Sequence, residues 1–199
     1  MTIKIIIISV LSYFLGNISV SFLIARYAGG IDIRKHGSGN AGATNVFRTL
    51  GAKAGLTAFI GDALKGVFAV LIGKLIGGED GQIAAGIFVV IGHNWPMLLG
   101  FKGGKGIATT IGVMIAINPY IVAAIVPIGL VIIFITKYVS LASITGMVIF
   151  PITMLLIKQP MKLVLFSFLL SAMALYKHKS NIKKLMTGTE SKLGNKNKR

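Results

Sequence analysis

The chain alternates long apolar runs with short polar segments, and the run lengths decide the first reading. A membrane helix needs ~20 mostly apolar residues to cross a hydrocarbon core of about 30 Å. Residues 3–25 meet that requirement, and Arg26 ends the run. A second span is predicted over residues 54–76, with Glu79 and Asp80 marking the loop that follows. A third covers residues 83–101 and is broken near its end by Pro96. Residues 107–136 are apolar apart from Asn118-Pro119. One helix of that length would be about 45 Å long, and proline disfavours continuity. Two helices are therefore predicted, the first short, with a tight turn at Asn118. Residues 139–157 and 163–176 complete the set.

The predicted fold is all-α: a polytopic membrane helix bundle of about seven transmembrane helices, some of them short. Five or six remain if residues 107–117 are re-entrant. The chain reads as one integral membrane domain over residues 1–199, with a polar tail over about 188–199 whose last few residues are expected to be disordered. The first run has only Lys4 as a charged flank and no clean small-x-small cleavage site. It reads as a retained span rather than a signal peptide.

Composition supports the membrane reading. The chain is 54% hydrophobic and only 13% charged, with a mean hydropathy of +0.82, whereas a soluble domain is usually about 25% charged. The net charge is +16, from 21 Lys and Arg against 5 Asp and Glu. In a soluble protein that excess suggests nucleic acid. In a membrane protein it suggests anionic lipid headgroups and anionic substrates, so membrane lipids are expected partners and nucleic acid is not. The positive charge is also unevenly placed. Segments 26–53, 102–105, 137 and 177–199 hold 16 of the 21 cations, while Lys4, Lys74, Lys158 and Lys162 fall in the alternate loops. With seven spans, the positive-inside rule then puts the N-terminus outside and the C-terminus in the cytoplasm. Lys65 lies inside a span with Asp62 three residues before it, on one helical face. Each alone would cost ~2.5–3.5 kcal/mol near the bilayer centre, a cost that pairing reduces. The absence of cysteine excludes disulfides and thiolate chemistry. No internal repeat supports an inverted-repeat transporter.

Three polar segments can carry chemistry. The first runs Gly37-Ser38-Gly39-Asn40-Ala41-Gly42-Ala43-Thr44-Asn45-Val46-Phe47-Arg48. Its opening matches a dinucleotide fingerprint, but no strand or βαβ unit surrounds it. Glycines nonetheless let backbone N–H groups approach an anion, and a following helix N-terminus adds partial positive charge. Arg48 would sit about one and a half turns into that helix, placed to fork onto a phosphate. From these residues alone, an anion site and a flexible basic loop are equally good readings. The second is Phe101-Lys102-Gly103-Gly104-Lys105-Gly106-Ile107-Ala108-Thr109. It is not a Walker A loop, and a topogenic basic turn is the plainer account of it. The third runs from His178 to Glu190. If it is helical, His178, Asn181 and Leu185 share a face. The plainer account here is a basic juxtamembrane tail that grips anionic lipid. His93 adds a lone histidine inside the third span, where such residues usually face the protein interior. The His-x4-Asp pair of a large acyltransferase group is absent, since Ala41, Leu98 and Lys183 stand five residues after the three histidines. No metal is suggested.

Together these segments resemble one family, the acyl-phosphate:glycerol-3-phosphate acyltransferases known as PlsY. Gly37 through Arg48 match its Gly-Ser-Gly-Asn-x-Gly-Ala-Thr-Asn-x-x-Arg block. Gly92-His93 and Phe101 through Thr109 match its second. His178, Asn181, Leu185, Gly188 and Glu190 match its third, with Lys179 and Lys184 in place of arginines. Tyr138-Val139-Ser140-Leu141-Ala142-Ser143 also resembles the family between two spans. The resemblance implies a bacterial inner-membrane, multi-pass enzyme with its active site on the cytoplasmic side. It would transfer an acyl group from acyl phosphate to glycerol 3-phosphate without a cofactor. Carried over residue by residue, it implies catalytic roles for His178, Ser38, Asn40, Lys105 and Glu190. It implies substrate binding by Gly37, Gly39, Thr44, Asn45, Arg48, His93, Lys102, Gly103, Gly104, Ser143 and Asn181. The proton acceptor is either a substrate phosphate oxygen or His178. The competing class is a transporter or channel for phosphorylated anions, which would use the same basic loops without chemistry.

Overall fold

The computed structural model describes residues 2–194, which form helices and no strands. The chain divides into two compact units, Met1–Ile117 and Asn118–Arg199.

The first unit runs α1 (Thr2–Asn17), α2 (Val20–Gly29), a 3-10 turn (Ile33–Lys35), α3 (Ala43–Leu50), α4 (Ala52–Asn94), a second 3-10 turn (Met97–Leu99) and α5 (Ile107–Ile117). The span expected over residues 3–25 is thus interrupted at Ile18 and Ser19. Such a break leaves carbonyls at the end of one helix and N–H groups at the start of the next without helical partners. Two side chains of α4 take them up. Lys65 Nζ donates to the Gly16 carbonyl at 3.0 Å and the Ile18 carbonyl at 2.8 Å. The Asp62 carboxylate accepts from Val20 N at 3.2 Å, Ser21 N at 3.3 Å and Ser21 Oγ at 2.6 Å. The two side chains pair with each other at 2.9 Å. An ammonium at a helix C-terminus and a carboxylate at the next N-terminus is the arrangement that the helix dipoles favour.

α4 does not run straight. Gly78 has φ 63° and ψ −144°, close to a region that only glycine occupies without strain. Residues 73 and 81 would be about 12 Å apart along the axis of an unbroken helix. Here Gly73 packs on Gly81 and Ala85, and a Cβ added to it would lie 2.6 Å from the Ala85 Cβ. α4 is therefore a hairpin of two helical arms, 52–77 and 79–94. Glu79 and Asp80, expected to mark a loop, instead begin the second arm, where carboxylates favour the helix start. The loop has shrunk to one glycine. The first arm packs on α5, where a Cβ on Gly112 would strike the Ala63 carbonyl. The second arm packs on α1, where a Cβ on Gly92 would strike the Tyr13 carbonyl. In lipid, where tails are as apolar as leucine, small residues let helix backbones approach closely.

The second unit contains α6 (Pro119–Thr136), α7 (Val139–Leu156), α8 (Met161–Lys177) and α9 (Lys179–Met186). The predicted turn at Asn118 is there. Its side chain caps α6 by accepting from Tyr120 N at 3.1 Å, and Pro119 takes the first helical position, where its missing N–H costs nothing. α7 packs on both α6 and α8, and Ser171 of α8 donates to the Met147 carbonyl at 2.6 Å. α8 and α9 are bent by 61°, with His178 at the corner. Leu193 N donates to the Lys137 carbonyl at 2.7 Å, so residues up to 194 return to the α6–α7 corner. The disorder expected at the extreme end falls on residues 195–199, outside those described.

Among the described residues, four helical stretches are long and apolar enough to cross a bilayer: Thr2–Gly29, Ala52–Leu99, Pro119–Thr136 and Val139–Leu156. The bent α8–α9 pair makes a fifth if taken as one span, and α5 is a shorter apolar helix. Large apolar side chains such as Leu75 and Phe134 point outward, as a chain surrounded by lipid requires.

Candidate functional site

The segment between α2 and α3 is wound around one side chain. Asn45, buried in the first turn of α3, turns its amide into the loop. Its Nδ2 faces the carbonyls of Ile33 at 3.0 Å, His36 at 2.9 Å and Asn40 at 3.0 Å. Its Oδ1 accepts from Ser38 N at 2.9 Å. Gly37 passes over it at φ 58°, and a Cβ there would strike Oδ1. Asn45 thus holds the loop that presents Ser38 and Gly39 at an exposed tip, with Asn40 and Thr44 half-buried beside it. Arg48 lies half-buried in the last turn of α3.

The base of the loop is fixed by ions. Asp32 accepts from Arg34 Nε at 2.9 Å and Nη2 at 2.8 Å, and from Arg34 N at 3.0 Å. The bond from the Arg34 side chain holds the Asp32 carboxyl down at about 2. Arg34 also donates Nη1 to the Leu99 carbonyl at 2.8 Å. The guanidinium therefore ties this loop to the second glycine segment.

A second tie lies beside the tip. Asn40 Nδ2 donates to the Gly103 carbonyl at 3.2 Å, across 63 positions of sequence. Gly103 and Gly104 are buried, Lys102 is exposed and Lys105 is half-buried. Gly104 N donates to the His93 carbonyl at 3.1 Å. Beyond Lys105 the chain enters α5, whose first backbone N–H groups have no helical partners of their own. The Asn40–Gly103 bond thus sets the Ser38–Asn40 loop beside a turn that carries Lys105 and leads into a helix start, with Arg48 on α3 of the same unit. Such a set suits phosphate oxygens.

His93 is placed differently from the rest. It is 3% exposed, with Nδ1 at 2.9 Å from Lys65 Nζ and 3.6 Å from Asp62 Oδ1. Its ring lies under Gly104, where an added Cβ would strike Nε2.

The second unit holds the remaining candidates. His178 is buried at the α8–α9 corner, with Nδ1 2.8 Å from the Ala174 carbonyl. A carbonyl only accepts, so Nδ1 carries a proton in this bond. Asn181 lies one turn on in α9, as the helical reading of this segment anticipates, and donates Nδ2 to Glu190 Oε1 at 2.9 Å. Ser140 Oγ donates to the same oxygen at 3.0 Å. Glu190 is buried and joins the start of α7 to α9, so it stands behind Asn181. Its Oε2 is buried with no hydrogen-bond partner among the described residues. Ser143 is half-buried and donates to the Val139 carbonyl of its own helix at 2.9 Å.

Ser140 is the residue that the motif reading passed over. It stands in the same six-residue block as Ser143 and three positions before it. Spacing alone does not tell which hydroxyl meets a carboxylate 50 residues later. Asp62 and Lys65 were readable as a pair on one face, but not as caps of a break in another helix.

A family model described as glycerol-3-phosphate acyltransferase matches residues 6–188. A protein of that name from Alkaliphilus metalliredigens is 52% identical over 185 residues, 93% of this chain and 94% of the relative. One from Clostridioides difficile is 50% identical over 197 residues, 96% of each. The chain is also similar to a crystal structure of PlsY, an integral membrane glycerol 3-phosphate acyltransferase, in its glycerol 3-phosphate form. The TM-score is 0.90, with 37% identity and 96% of each chain covered. The lysophosphatidic acid form of that protein matches with a TM-score of 0.88 and 36% identity, over 96% of this chain and 95% of that one.

Proposed function

Because the chain belongs to the glycerol-3-phosphate acyltransferase family, we propose that it transfers a fatty acyl group from acyl phosphate to glycerol 3-phosphate. The products are 1-acyl-glycerol 3-phosphate (lysophosphatidic acid) and inorganic phosphate, in the first step of phospholipid synthesis. The observation that carries this reading is the Asn40–Gly103 bond, which joins two glycine segments suited to phosphate within one unit. Both substrates and both products contain phosphate.

The reaction forms an ester bond from the glycerol hydroxyl to the acyl carbon and breaks the bond from that carbon to the phosphate oxygen. The donor is already activated, so no enzyme nucleophile is needed. The protein has to position the hydroxyl, receive its proton and stabilise the oxyanion. Arg48, Lys105, Ser143, His178 and Asn181 are assigned to glycerol 3-phosphate. The Ser38–Asn40 loop is assigned to the phosphoryl group of the donor. Asn45 and Glu190 act behind these groups by holding the loop and Asn181. The proton goes to the His178 ring, held through Nδ1 at the Ala174 carbonyl, or to a substrate phosphate oxygen, whose second pKa lies near ~6.

The proposal extends to topology. Counting the arms of α4 separately and including α5 and α8 gives seven crossings in a bacterial inner membrane, with the N-terminus outside and the chemistry on the cytoplasmic side. The uneven charge supports this orientation. A long acyl chain, at ~0.8 kcal/mol per buried methylene, keeps donor and product in the bilayer.

A donor exchange tests the reading. Purified protein given glycerol 3-phosphate is expected to make lysophosphatidic acid and release phosphate with acyl phosphate, and to make none with acyl-CoA or acyl-carrier protein. Product from a thioester donor would overturn the donor assignment. No product from any donor would overturn the enzyme reading and favour transport of phosphorylated anions.

A further inference from the structure

The buried Asp62–Lys65–His93 cluster has no part in the reaction as assigned, yet it connects to the site on both sides. Toward the membrane, Asp62 and Lys65 hold the break between α1 and α2 through the Gly16 and Ile18 carbonyls and the Val20 and Ser21 N–H groups. Toward the site, Lys65 reaches His93. Lys65 Nζ lies 2.9 Å from His93 Nδ1, and the other ring nitrogen is Nε2. That nitrogen lies against Gly104, close enough that a Cβ there would strike it. The His93 carbonyl takes Gly104 N at 3.1 Å. A Cβ on Gly103 would strike the same carbonyl. Ring and backbone of His93 together form the floor on which the Gly103–Gly104 turn rests. Lys105 is the next residue.

We infer that His93, fixed by Lys65 and Asp62, is a positioning residue that sets the Gly103–Gly104 turn and through Lys105 the affinity for glycerol 3-phosphate. This rests on the function proposed above and replaces the direct substrate contact that the resemblance implies for His93. At 3% exposure, with Nδ1 turned to Lys65 and the ring under Gly104, the side chain has almost no surface to give a substrate. The Ser38–Asn40 loop keeps its own anchor in Asn45 and shares with the turn the Asn40–Gly103 bond, so disturbing the floor falls first on the lysine side. A phosphate contact remote from the acyl carbon is made equally before and during the chemical step. Its loss raises KM and leaves kcat.

The test is a double-mutant cycle on the full chain in detergent, read by turnover with acyl phosphate and by the Tm shift that glycerol 3-phosphate produces. His93→Ala is expected to raise KM for glycerol 3-phosphate at least tenfold, with kcat within threefold, and to abolish the Tm shift. Gly104→Ala is expected to do the same, because its methyl meets the imidazole. The His93→Ala/Gly104→Ala double variant is expected to recover affinity relative to Gly104→Ala alone, because the methyl then has room. Unchanged KM in His93→Ala, a fall in kcat at constant KM, or a double variant no better than Gly104→Ala would each overturn the inference. A merely structural histidine would lower Tm and yield without moving KM in the folded protein. Should His93→Ala not fold, His93→Gln, which keeps a polar side chain toward Lys65, carries the same prediction in weaker form. A wild-type protein that makes no product but is stabilised by glycerol 3-phosphate separates failure of the enzyme reading from failure of this one, because the Tm arm still reads the turn.

Discussion

At the scale of single residues, identity was easier to read than direction. The block from Gly37 to Arg48 could be recognised from residue types and spacing. Nothing in it says that Asn45 turns inward to four backbone groups while Ser38 stands at the tip, because that depends on where Ile33 and His36 lie after folding. Glu190 is the same case, with partners 9 and 50 positions away. Asn45→Ala is expected to remove the loop's organiser and leave buried polar groups unmatched, at ~1–3 kcal/mol each. Activity should fall at least about 100-fold while the helix content by circular dichroism is kept. Near-normal turnover would show that the loop keeps its shape without the amide. His178→Gln keeps a polar side chain but no basic ring nitrogen. If the ring takes the proton, kcat falls about 100-fold or more, within the usual range for general base catalysis. If a substrate phosphate takes it, kcat changes little, and steady-state rates at saturating substrate decide.

At the scale of elements, breaks with local causes were legible and breaks with distant causes were not. Asn118-Pro119 announces its own turn, with a capping side chain followed by a proline. At Ile18-Ser19 the only local signal is the serine, which caps α2 by accepting from Phe22 N at 3.2 Å, and the groups that hold the break open come from α4, 41 to 49 positions later. The α4 hairpin lies between these cases. Glu79 and Asp80 marked the right neighbourhood, but a single glycine makes the reversal. Gly78→Ala is expected to cost about 1–3 kcal/mol, since alanine does not tolerate the backbone angles there. Its thermal midpoint in detergent should drop while KM for both substrates stays near wild type. A variant as stable as the wild type would mean that the reversal relaxes to another geometry.

At the scale of the whole molecule, charge carries the proposed orientation and the chain offers a clean way to read it. There are no cysteines, so each one introduced reports alone. In intact cells, Lys158→Cys is expected to react with an impermeant maleimide, and Lys183→Cys only after permeabilisation. The reverse pattern would invert the proposed topology. The break between α1 and α2 also has a consequence in time. The chain is made from the N-terminus, so residues 2–29 leave the ribosome before Asp62 and Lys65 do. At that stage nothing is present to take up the carbonyls of Gly16 and Ile18 or the N–H groups of Val20 and Ser21, and an unmatched polar group in lipid costs several kcal/mol. The segment is therefore expected to begin as one uninterrupted helix and to be remodelled when α4 arrives. A synthetic peptide of residues 2–29 in lipid is expected to show slow amide exchange at Val20 and Ser21. Rapid exchange there would mean that the break belongs to the segment itself. The first span of this protein is finished by its second.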